Sequence, residues 1–172
     1  MSSAQYSEAD ITVPLIINGQ DELLPANDTI SVISPYSNQS CWKAASASPT
    51  DAVRAVESAS TAFPQWSNTK PEKRRDILLK AADILEQRIE ENAAFMRSEM
   101  GADVAASQFF VTPMAIRMLR DIAGRISGIC GTVPVVESEG QSAMVCKEPM
   151  GVVLGIVPWF VLFAIYAYYS IC

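Results

Sequence analysis

Between residues 69 and 100 the apolar positions recur with a helical period. Ile77, Leu78, Ala81, Ile84, Leu85, Ile89, Ala93 and Met96 fall at helical spacing, and Asp76, Asp83, Glu86, Arg88 and Glu90 take the other faces. The pattern predicts one long amphipathic helix. Thr69-Lys70-Pro71-Glu72 has the form of a capping box at its start, because hydroxyl and carboxylate can each satisfy an orphan backbone donor. Gly101 is placed to stop it. An earlier helix is expected from Ser48-Pro49-Thr50-Asp51, which offers a capping hydroxyl, a proline at the first helical position and an acid in the first turn. Val53, Val56 and Phe63 then lie on or near one face, and Pro64 is expected to end or kink the helix. A third helical region runs from about Val104 to Ser127 and ends at Gly128. Its apolar stripe is Phe110, Met114, Met118, Leu119, Ile122 and Ile126, and Pro113 kinks it or splits it in two.

Strand patterns flank these helices. Residues 1–14 are polar and expected to be loose. Leu15 to Asn18 reads as a short strand with Asn18-Gly19 as a turn, and Ile30 to Ser34 reads as a second strand, rich in β-branched residues. Pro35-Tyr36-Ser37-Asn38 then punctuates the chain. Beyond the helices, Val133 to Glu137 and Ala143 to Lys147 flank Ser138-Glu139-Gly140-Gln141, which predicts a hairpin. Val152 to Val157 is apolar except for Gly155, the pattern of a strand buried on both faces of a parallel sheet. The fold class expected is α/β: small β elements, long helices, a hairpin, and one strand of a sheet that is begun and not continued.

Composition narrows the chemistry. Hydrophobic residues make up 49% and charged residues 19% of 172, which argues against disorder and for about one domain. The net charge is −6 with Lys and Arg scattered, so electrostatics offers no footprint for nucleic acid. Histidine is absent, which removes the usual general base and the commonest zinc ligand. Cys41, Cys130, Cys146 and Cys172 have neither metal-ligand nor redox-motif spacing and read as free thiols of a reducing compartment. Met96, Met100, Met114 and Met118 read as core filling, and Glu86, Glu90 and Glu91 as a solvated helix face. No residue is assigned a catalytic or metal-binding role. Met1 to Asp10 lacks a basic region and an apolar run, so no secretory signal is expected. A cytoplasmic protein is expected, and the acceptor patterns at Asn27 and Asn38 read as chance.

The segment Glu148-Pro149-Met150-Gly151-Val152-Val153-Leu154-Gly155-Ile156-Val157-Pro158-Trp159 resembles the NAD(P)-dependent aldehyde dehydrogenase superfamily. There a Glu-Pro-x-Gly-Val turn leads into the first strand of the cofactor domain, which ends at Pro-Trp-Asn. Ile17-Asn18-Gly19, Ser34-Pro35-Tyr36, the stretch Ala59 to Arg75 with Phe63 and Trp66, and Gly131-Thr132-Val133-Pro134 resemble successive parts of the same family. The resemblance spans about residues 15–159, and the aromatic-aldehyde branch (salicylaldehyde or vanillin) is the nearest.

The resemblance implies an incomplete aldehyde dehydrogenase-like fold. Residues 1–132 would be the N-terminal part of the cofactor-binding domain, 133–148 the bridging hairpin used in oligomerisation, and 149–159 the first strand of the dinucleotide-binding sheet. It also implies the oxidation of an aldehyde to a carboxylic acid with NAD or NADP. A cysteine thiolate attacks the aldehyde, hydride passes to the nicotinamide, and a glutamate activates water. Ile156, Val157, Pro158 and Trp159 match the strand end that lies against the cofactor. The next position is the oxyanion-stabilising Asn in the family, and here it is Phe160, which has no donor to offer. None of the four cysteines stands in the nucleophile's context. The catalytic Cys and Glu of the family are expected further along than Cys172, so the chain is expected to be inactive alone. Partners implied are an aldehyde, a second copy or a full-length relative.

Residues 160–172 depart from the family pattern and carry no charge. A read-through intron, a frameshift or a misplaced gene boundary would produce such a tail. The rival expectation is a non-catalytic interaction protein or a tail-anchored one, since Gly151 to Cys172 is uncharged over a length near the roughly 20 residues of a membrane span. Pro158 and Gly155 interrupt any such helix.

Overall fold

The computed structural model describes residues 11–156 of the chain. Two small sheets open it. β2 (Leu15–Ile17) and β3 (Gln20–Glu22) form an antiparallel hairpin with Ile17 opposite Gln20. Asn18 and Gly19 both have positive φ, 54° and 70°, as a tight two-residue hairpin turn requires. The second sheet has the order β1 (Thr12–Val13), β5 (Ser40–Ala45), β4 (Thr29–Ile33). β4 runs antiparallel to β5, with an irregularity between Val32 and Ile33, and β1 runs parallel to it. The central strand β5 and the short β1 and β3 were not apparent in the sequence, whereas β2, the Asn18-Gly19 turn and β4 fall where the residue pattern put them. Part of the stretch expected to be loose is therefore paired.

Helix α1 (Pro49–Ser67) begins as predicted. The Ser48 Oγ accepts from the Asp51 backbone N–H at 3.2 Å, and the Asp51 carboxylate accepts from the Ser48 N–H at 2.9 Å. Pro64 does not end the helix, which continues to Ser67. A proline here deletes one helical donor, but α1 buries none of its residues, so water can reach the freed carbonyl. Arg54 ties α1 to the hairpin through both Glu22 oxygens, at 2.6 and 2.8 Å.

The long helix expected over residues 69–100 is two helices, α2 (Pro71–Gln87) and α3 (Ile89–Met100), broken at Arg88 with φ −112° and ψ 24°. The capping box at Thr69 and Glu72 does not form. Lys70 is the cap residue, and the Thr69 hydroxyl donates back to the Gln65 carbonyl of α1 at 3.0 Å. Gly101 ends α3 in the left-handed conformation, φ 69°, with the Pro35 ring 3.1 Å from where a Cβ would stand. The break at Arg88 lets two faces bury in different directions. Leu78, Ala82 and Leu85 of α2 pack on Ala115, Ile116 and Leu119 of the third helical region, while Phe95 of α3 meets Trp42 of β5 edge-on at 5.4 Å.

The third helical region is continuous but changes pitch. A π-helical turn (Ala105–Val111) passes into α4 (Thr112–Arg125) and a short 3-10 turn (Ile126–Gly128). The change falls at Pro113, the residue expected to split the region. The Thr112 hydroxyl donates to the Ser107 carbonyl at 3.0 Å, supplying a donor where the ladder is disrupted. The main core lies between α2 and α4: Leu78, Ala82, Leu85, Ala115, Ile116, Leu119, Ala123 and Ile126. Its α4 stripe differs from the predicted one. Ala115, Ile116 and Ala123 are buried, Met114, Met118 and Ile122 are half-buried, and Phe110 is exposed.

After Gly128 the regular ladders expected do not appear. The predicted hairpin is reduced to one antiparallel bridge, Thr132 to Val145, with hydrogen bonds of 3.0 and 2.8 Å. The turn at Ser138–Gln141 is in place, with Gly140 at φ 75°. Val152–Ile156 belongs to no strand, because no strand among the described residues lies beside it.

Three outcomes follow from this packing. Ile116→Ala should lower unfolding free energy by about 2–5 kcal/mol in denaturant titrations. Gly131→Ala should break the bridge, since a Cβ would stand 2.2 Å from the Val145 carbonyl oxygen. Amide exchange at Thr132 and Val145 should then rise with little change in α2 or α4. The third concerns pH. Hydrogen bonds from Ser48, first through its side chain and then its backbone, hold the Asp51 carboxyl below its ordinary 3.8. The cap's stabilisation is therefore present above the ordinary value and is lost as pH falls through the lowered one. NMR titration of the α1 N-terminal amides should show fraying below about pH 3.8 that Ser48→Ala moves upward.

Candidate cofactor-facing segment

The segment singled out by sequence leaves the bridge on the Val145 side. Gly151 turns it with φ 104°, a conformation that side-chain-bearing residues rarely adopt and that fits glycine in the Glu-Pro-Met-Gly turn. Beyond it the side chains face outward. Leu154 is 83% and Ile156 85% exposed, and Val152 and Val153 are each 45% exposed. Of the four predicted cofactor-binding residues, only Ile156 is among those described. Val157, Pro158 and Trp159 lie outside the described residues, as does the whole segment 160–172.

No other group of side chains in the described residues forms a catalytic constellation. Cys41 is buried, and its thiol donates to the Ser98 carbonyl at 3.4 Å, which packs β5 on α3. Cys130 is exposed and turns to the Gly128 carbonyl at 3.2 Å; Cys146 is exposed too. Neither Cys41 nor Cys130 has a base as its hydrogen-bond partner. Among the described residues no cluster of carboxylates and thiols has metal-binding geometry. Burial pushes the Glu99 carboxyl up, against the pull of a hydrogen bond from Trp42. This acid sits at the joint between β5 and α3, so the structural role is the simpler account of its shift. Arg120 of α4 reaches Asp83 at 3.0 Å and Glu86 at 2.7 Å on α2, and both hydrogen bonds raise its already high pKa. These charges pin the two helices along an exposed edge. Trp66 is 38% exposed on α1.

The geometry alone does not name a reaction; the comparisons with known proteins supply the family. The profile described as "Aldehyde dehydrogenase family" matches residues 24–168. The chain belongs to the aldehyde dehydrogenase family. The match includes residues past Trp159, in the segment whose text departs from the family's Pro-Trp-Asn at Phe160.

A vanillin dehydrogenase of a Pseudomonas species is 40% identical over 148 residues, covering 86% of this chain and 30% of that protein. A salicylaldehyde dehydrogenase of Pseudomonas putida is 35% identical over 132 residues, covering 76% of this chain and 27% of its own length. Among solved structures, the Pseudomonas putida salicylaldehyde dehydrogenase complexed with salicylaldehyde superposes with a TM-score of 0.87 at 27% identity, over 94% of this chain and 34% of that one. An indole-3-acetaldehyde dehydrogenase complexed with NAD+ gives 0.83 at 32% identity, over 91% and 32%. The chain thus spans about a third of the length of the relatives it matches. The described fold is the matching part of the aldehyde dehydrogenase fold, as the sequence led us to expect. No helix among the described residues is long and apolar enough to cross a membrane.

The thiol environments make a direct prediction. Under native conditions a maleimide probe should label Cys130 and Cys146 quickly, and Cys41 only after unfolding, as read by peptide mass mapping. Labelling of Cys41 at the rate of Cys130 would mean that β5 does not pack on α3 as described.

Proposed function

We propose that this chain is the N-terminal part of the machinery of an NAD(P)-dependent aldehyde dehydrogenase that oxidises an aldehyde, of the aromatic class, to its carboxylic acid. The observation that carries the reading is the family match over residues 24–168, with vanillin and salicylaldehyde dehydrogenases among the relatives. The cofactor, NAD or NADP, would accept hydride from the substrate. Ile156, Val157, Pro158 and Trp159 would supply the strand end against which it rests. The turn at Gly151 and the bridge at Gly131 would set the direction in which that strand end leaves the helical body.

On this reading the chain does no chemistry alone. The described thiols lack a base partner, the chain has no histidine, and Phe160 stands where the family uses an amide donor. The hairpin region 133–148 would meet a second copy or a full-length relative, and the protein would work in the cytoplasm. The rival reading, a tail-anchored or purely interacting product, draws no support from the family match.

Two experiments separate the parts of the proposal. The purified chain should neither bind NAD in calorimetry nor oxidise vanillin; turnover by the chain alone would refute the placement of the chemistry elsewhere. A chimera should then be made in which residues 24–159 replace the matching stretch of the Pseudomonas vanillin dehydrogenase. It should retain turnover, and adding Phe at the position after Trp159 should lower kcat by about 10²–10³-fold. A folded chimera without NAD binding would overturn the assignment of Ile156 to Trp159.

A further inference from the structure

We draw no further inference here: the strongest candidate, the exposed aromatic pair Phe109 and Phe110 on the π-helical turn Ala105–Val111, is an unpartnered apolar face, and nothing in the structure shows what covers it.

Discussion

The contact between α2 and α4 holds the described fold together. It is made possible by small side chains. Ala82, Ala115 and Ala123 are essentially inaccessible to solvent, and at these points the two helices approach closely enough for Leu78, Leu85, Ile116 and Leu119 to interlock between them. Apolar area removed from water at this contact supplies the main favourable term, at roughly 25 cal/mol per Å². The Arg120 pairs with Asp83 and Glu86 span the same two helices along their exposed edge. The remaining described parts attach to this pair. The sheet docks on α3 through Trp42, Phe95 and Cys41, and α1 is held by Glu22 and Arg54 at the hairpin.

Away from that contact the apolar surface is open. Val53 and Val56 on α1, Ile77 and Ile84 on the far side of α2, and Leu154 and Ile156 after the Gly151 turn all face solvent. Outward-facing residues of this kind, in a chain covering 34% of a structural relative, are what part of a larger layered fold presents. The same openness explains why the described structure offers no enclosed chemistry. A strand end can orient a cofactor only when neighbouring strands hold it, and Val152–Ile156 has none beside it among the described residues.

Local chemistry was the most legible part of the sequence. Asn18-Gly19 gave the first turn, Ser48 to Asp51 the start of α1, and Gly101 the end of α3, because each depends on a few neighbouring residues. The misreadings came from tertiary packing. The helix break at Arg88 carries no glycine or proline; it follows from two faces that bury in different directions. The large residues of α4 dominate its sequence pattern, whereas the alanines that make close approach possible, Ala115 and Ala123, carry little periodic signal. β5 was missed because Cys41-Trp42-Lys43-Ala44-Ala45 carries little of the β-branched signal that marked β4. The family was legible from the Glu-Pro-Met-Gly and Pro-Trp block, a motif whose spacing helical periodicity cannot imitate. Val157, Pro158 and Trp159, which the resemblance matches to the cofactor-facing strand end, lie outside the described residues.

The central claim is that a formed helical core carries an apolar segment, Val152–Ile156, that nothing in the described fold pairs. Amide hydrogen exchange along the purified chain tests it most directly. The account predicts the slowest exchange in α2 from Leu78 to Leu85 and in α4 from Ala115 to Ala123. It predicts near-unprotected amides from Val152 to Ile156. Protection of Val152–Ile156 comparable to that of the two helices would contradict it, since those amides would then have found partners that this fold does not provide.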